Sequence, residues 1–130
     1  MSTKITLSSH IFDRVTVACA WVDGEPAEVG RVYVRDELDH DYYYIHGLWV
    51  HPDYRKQGIG TRLMRDILDL YVLDRLELIP ARADGEDGPS GTDLAAWYQR
   101  LGFKFGPSNN TDRGARESDV RRMYRPGIRA

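Results

Sequence analysis

The sequence predicts a mixed α/β fold: a single domain over residues 1–130 built around one sheet. Three observations lead there. Strand-type alternation recurs between residues 14 and 50. Two helical stretches follow, with a strand between them, and a strand pair closes the chain. Gly58 and Gly60 stand where a strand passes into the first helix. A chain of 130 residues, 42% hydrophobic and 29% charged, can build one packed core without metals or disulfides.

Residues 4–8 supply a first short strand. In 14–22, Val15, Val17, Cys19 and Trp21 share one face of a second. Asp23-Gly24-Glu25-Pro26 is a turn. Residues 29–35 give a third strand, with Val32 and Val34 on one side and Arg31, Tyr33 and Arg35 on the other. The acidic run 36–41 connects it to 42–50, an aromatic and β-branched stretch that reads as a longer strand. His51-Pro52-Asp53 stops that strand. The helix at 59–73 spaces Ile59, Leu63, Met64, Ile67, Leu68, Leu70 and Tyr71 at the helical period, as a right-handed crossover requires. Residues 76–83 form the next strand, with Leu76 and Leu78 on one face, and 83–91 form a polar, Gly-rich loop. Ser90 with Asp93 forms a capping box for a second helix, in which Leu94, Tyr98 and Leu101 share a face. Gly102 stands where a left-handed helix stop belongs. Phe103 to Phe105 and Val120 to Tyr124 make the closing pair.

Net charge is −2, which argues against broad electrostatic binding to nucleic acid. The single cysteine, Cys19, forbids an internal disulfide and suits a reducing compartment, most simply the cytoplasm. No apolar run approaches the roughly 18 residues of a membrane span. His10, His40, His46 and His51 lack metal-ligand spacing, so no metal is expected.

The stretch Arg55-Lys56-Gln57-Gly58-Ile59-Gly60-Thr61 carries the chemistry. A helix start leaves its first N–H groups without intrahelical partners and bears the positive end of the dipole. It therefore suits a phosphate. Glycine at 58 and 60 lets the backbone come close to an anion. The nucleotide P-loop pattern is absent. The dinucleotide fingerprint fails too, because Leu63 stands where a third glycine belongs. An ordinary Gly-containing turn remains the plain alternative.

The segment from Leu48 to Met64 resembles motif A of the GNAT superfamily of N-acetyltransferases, whose Arg/Gln-x-x-Gly-x-Gly/Ala signature is met by Arg55, Gly58 and Gly60. Trp97-Tyr98-Gln99-Arg100-Leu101-Gly102-Phe103 is similar to that family's motif B. The match is good over residues 27 to 105. It implies a central mixed sheet in which acetyl-CoA lies between two splayed parallel strands, 42–50 and 76–83. The pyrophosphate site then carries over to Gln57, Gly58, Ile59, Gly60 and Thr61, flanked by Arg55 and Lys56. Backbone groups of Trp49 and Val50 would align the pantetheine and thioester. The Val50 amide would polarise the carbonyl.

The resemblance further implies direct attack of an amine in a ternary complex, where positioning supplies much of the acceleration. Tyr98 matches the family's frequent proton donor. The family's usual Glu is missing from Tyr42–Gly47, and His46 is the best titratable substitute as base. Tyr44, acting through water, and Asp41 come after it. A non-catalytic acyl-CoA-binding module and an enzyme acting on nucleic acid are the rival functions. Two departures matter. Gly91 stands where an Asn often touches pantetheine. Only residues 9–13 separate the first two strands, so the family's two N-terminal helices are reduced or absent. The acceptor site would then be open, or completed by a second subunit as a homodimer, and take a small-molecule, protein or peptide amine. The acidic run 36–41 would attract a cationic amine.

Overall fold

The computed structural model describes residues 5–37, 41–55, 57–80, 91–106 and 122–128. The elements in chain order are β1 (Ile5–Phe12), β2 (Val15–Val22), β3 (Gly30–Glu37), β4 (Tyr42–Val50), a single 3-10 turn (Pro52–Tyr54), α1 (Ile59–Leu70), β5 (Leu76–Leu78), α2 (Gly91–Arg100), β6 (Lys104–Phe105) and β7 (Met123–Arg125). The strands hydrogen-bond in the order β1-β2-β3-β4-β5-β7-β6. β4 and β5 run parallel, while β1–β2, β2–β3, β5–β7 and β6–β7 are antiparallel. The expected mixed α/β sheet is thus present.

The chain divides into two compact units, Met1–Asp36 with Ile45–Val72, and Glu37–Tyr44 with Leu73–Ala130. In the first, α1 packs on β2. The buried side chains Ile59, Leu63, Met64, Ile67 and Leu68 form one stripe of α1. Thr16, Ala18, Ala20 and Val22 are buried on β2, and the alanines are small enough to let a helix come close. Val15, Val17 and Trp21, which alternation marks as the apolar face, are only half-buried. At the far end of α1, Thr16 Oγ1 and Tyr71 Oη lie 2.6 Å apart, in a hydrogen bond between strand and helix end.

Several boundaries differ from those expected. β1 runs to Phe12, and Asp13 and Arg14 alone join it to β2. Asp13 takes a positive φ of 54°, the left-handed conformation that a two-residue hairpin demands. No helix separates β1 from β2, as the short spacing requires. α1 ends at Leu70, and the residues to 73 form turns, because the backbone at Tyr71 has left helical geometry (φ −112°, ψ 31°). β5 is three residues long and stops before Ile79. The expected strand residues 81–83, the Ser90 cap and Val120 lie outside the described residues.

In the second unit, Leu76, Leu78, Ala95, Tyr98, Phe103 and Met123 are buried. The opposite face of β5 carries Glu77, fully buried at 0% exposure. Its two carboxylate oxygens take Arg75 Nε at 2.9 Å and Arg122 Nη1 at 3.2 Å. Those guanidinium groups also stack, Arg75 over the Tyr124 ring at 4.0 Å and Arg122 over Tyr44 at 5.1 Å. Register explains the gathering, since Glu77 lies between Tyr44 on β4 and Tyr124 on β7.

Candidate cofactor and active site

The first unit holds His46, Trp49, Val50, Arg55 and the run Gln57 to Thr61. Lys56 lies outside the described residues. Tyr98 belongs to the second unit, on α2.

At the end of β4, backbone alternation sorts the polar groups. The His51 N–H bonds the Val29 carbonyl at 2.7 Å, toward β3. Successive peptide groups of a strand point to opposite edges. The N–H and C=O of Val50 therefore turn to the edge away from β3. The Val50 carbonyl accepts Arg55 Nε there at 3.0 Å. The Val50 N–H lies on that same edge. β4 pairs with β5 through Tyr43 with Leu76 and Tyr44 with Glu77, both at the start of β4.

Gly47 was missed by pattern reading, although a glycine inside a strand is a recognised sign of a bulge or close approach. Its φ is +66°. A Cβ there would sit 2.7 Å from Tyr33 Cδ2. The missing side chain leaves room for Tyr33, whose ring stacks on His46 at 5.4 Å and 17°. His46 is exposed, so its ring is in reach of solvent protons.

The loop before α1 meets the demands of an anion cradle. Gly58 is the helix N-cap at φ 80°, ψ 7°, with no side-chain cap hydrogen bond. A Cβ built on Gly58 meets nothing within 4 Å, so it would project into open space beside the helix start. The first turn of α1 holds no acidic residue. The first N–H groups of a twelve-residue helix thus meet no competing carboxylate from the helix's own first turn. These features fit a pyrophosphate held by Gln57, Gly58, Ile59, Gly60 and Thr61. Arg55 adds charge, yet its Nε is occupied by Val50.

Tyr98 is 6% exposed, tilted against Trp97 at 5.0 Å and edge-on to Phe103 at 5.8 Å. Burial pushes its phenol up to about 12. Its proton is therefore retained at neutral pH. Cys19 is buried on β2, and burial raises its thiol, with Glu28 adding to the rise and Arg31 opposing it. A thiol so held is a poor nucleophile. Among the described residues, no group of three His, Cys, Asp or Glu side chains could hold a metal ion.

Residues 5–103 match the acetyltransferase (GNAT) family, and the chain belongs to that family. No curated protein matches the sequence. Among similar solved structures is a GNAT-family acetyltransferase from Staphylococcus aureus Mu50 (TM-score 0.61, 17% identity, 86% of this chain and 67% of that one). The PaiA N-acetyltransferase from Thermoplasma acidophilum, in complex with coenzyme A, is similar at TM-score 0.58 and 15% identity, over 87% of this chain and 61% of that one. The chain thus spans less than two thirds of that protein. The ribosomal-protein-S18-alanine N-acetyltransferase from Escherichia coli is similar at TM-score 0.61 and 19% identity, over 96% of this chain and 94% of that one. Identities this low show the shared fold. Among the described residues, no helix is long and apolar enough to cross a membrane.

Proposed function

We propose that residues 1–130 form one acetyl-CoA-dependent N-acetyltransferase domain that moves an acetyl group to a primary amine, in the reducing cytoplasm. The observation that carries this is the uncapped start of α1 at Gly58, next to a β4 end whose Val50 amide faces away from β3. The cosubstrate would supply an activated acyl group on a thiol leaving group. Everything else is positioning by the chain. The amides of Gln57 to Thr61 hold the pyrophosphate. The Val50 N–H donates to the acyl oxygen as negative charge builds on it. His46, exposed on β4 beside Gly47, takes the proton of the incoming ammonium. Tyr98 Oη donates to the departing sulfur. An ordinary thiol has a pKa of about 8.5. Tyr98, at about 12, is the weaker acid, so it serves as a hydrogen-bond donor that keeps its proton, and the sulfur, leaving as thiolate, takes the second proton that the acylated nitrogen releases.

The two-residue turn between β1 and β2 supports an acceptor side left open or completed by a second copy, and so a protein or peptide amine as readily as a small one. The experiment is calorimetric titration of acetyl-CoA into wild type and Gly60→Glu. Saturable binding in wild type, lost in the variant, is expected. No binding by folded wild type would end the reading. A non-catalytic acyl-CoA-binding module is the second reading, favoured by the lack of a Glu in Tyr42–Gly47. Binding without turnover on any amine would establish it.

A further inference from the structure

Resting on that acyl-CoA reading, we propose that His51 is a positioning residue for the phosphate loop, and that it holds the loop only while its imidazole is neutral. The turn Pro52–Tyr54 links the strand that presents Val50 to the loop that opens α1. His51 caps this turn. Its Nδ1 accepts the Asp53 backbone N–H at 3.1 Å, and its carbonyl accepts the Tyr54 N–H at 2.9 Å. A ring nitrogen that accepts carries a lone pair, so the ring proton sits on Nε2.

Protonation fills that lone pair, and the Asp53 N–H then faces another N–H. The Asp53 carboxylate stands 3.9 Å from the same nitrogen. The charged ring therefore exchanges a backbone partner for a carboxylate. The exchange acts on the residues that follow. Arg55 reaches back to the Val50 carbonyl from the end of this turn, and Gln57 Nε2 donates to the Asp53 carbonyl at 3.5 Å. Loss of the cap loosens both ends of the loop at once.

The ring lines a groove with Glu25, Glu28, Val29, Asp53 and Tyr54. Tyr54 Oη donates to Glu25 at 2.7 Å. Glu28 takes Arg31 at 3.3 Å, and the Arg31 guanidinium lies 4.7 Å over the Trp49 ring. Trp49 and Tyr54 in turn meet His51 edge-on at 6.0 and 5.8 Å. Among the described residues, the charged groups around the ring are thus three carboxylates and one guanidinium, from the β2–β3 connection, β3 and the turn itself.

The test is calorimetric titration of coenzyme A into the full chain at about pH 8 and about pH 5.5, the range over which histidines change charge. Wild type, His51→Asn and His51→Phe are compared. The ligand's own phosphate protonates near pH 6, and that effect enters all three alike. Wild type should lose about fivefold more affinity than His51→Asn on acidification, the size of one lost cap. The Asn amide oxygen caps at either pH. His51→Phe should bind about fivefold more weakly than wild type at about pH 8. Equal pH dependence of wild type and His51→Asn overturns the proposal, as does wild-type affinity in His51→Phe. In the ligand-free chain, the Asp53 amide resonance should shift with pH in wild type and stay still in His51→Asn. A motionless wild-type resonance overturns the role of His51 by itself. A moving resonance with no coenzyme A binding overturns the cofactor reading, and with it the loop-holding role.

Discussion

At the start of α1 the polar groups are backbone N–H groups without a side-chain cap; on β5 they are side chains shut away from water. The first turn of α1 offers N–H groups with no side-chain cap at Gly58. Glu77, at 0% exposure, instead has both oxygens engaged by Arg75 and Arg122. Among the described residues, Arg122 Nε is a buried donor with no hydrogen-bond partner. The difference shows two uses of the same interaction. Open donors cost little, because water satisfies them until a ligand arrives. A buried carboxylate costs a great deal unless cations stay beside it. The first region is built to exchange partners, the second to keep them.

The largest effect should come from breaking the closed region. Glu77→Leu leaves Arg122, 1% exposed, without its carboxylate. A loss of about 3–5 kcal/mol in denaturant unfolding is expected. Adding Arg122→Met should recover most of it. If Glu77→Leu alone unfolds at the wild-type denaturant midpoint, the cluster is not closed as described.

Tyr98→Phe probes the catalytic assignment next. The turnover number for a primary amine should fall by about 10–100-fold, the size of one hydrogen bond to a developing charge, with little change in acceptor KM. A turnover number equal to wild type would remove Tyr98 from the chemistry. Its titration gives a second reading. The folded pKa, about 12, lies above the ordinary tyrosine value of 10.0, so the unfolded chain loses this proton first as pH rises. The contribution is intact below pH 10.0 and wanes between there and about 12. Tyr98→Phe should therefore resist alkaline unfolding better than wild type in that window, and show the same rate profile shape at lower pH.

The smallest effect is expected at the far end of α1, where one partner is fixed without a buried charge. Thr16→Val removes the hydrogen bond to Tyr71. A loss of about 1 kcal/mol in thermal or denaturant unfolding should follow. A cost as large as that of Glu77→Leu would erase the contrast between a neutral hydrogen bond and a buried ion cluster.

The sequence made the first region legible because its signals are local. Arg55, Gly58 and Gly60 fall within six residues, and α1 shows its apolar stripe through spacing alone. The β2 face was harder to read. Alternation favoured Val15, Val17 and Trp21, but α1 lies on the smaller Thr16, Ala18 and Ala20. Which face a helix covers depends on a partner distant in sequence. The Glu77 cluster was not read at all, since 45 residues separate Glu77 from Arg122 and only the β5–β7 register brings them together. Gly47 carried a readable sign in a strand of aromatic and β-branched residues, and its meaning came from Tyr33 on the neighbouring strand.

The single cysteine has a practical consequence. Cys19 is buried on β2 with its thiol raised, so maleimide-type reagents should pass it by in the folded chain. A cysteine introduced at an exposed position such as Asp69 would then be the one reactive handle, and a fluorophore or spin label could be placed there without first removing a native thiol.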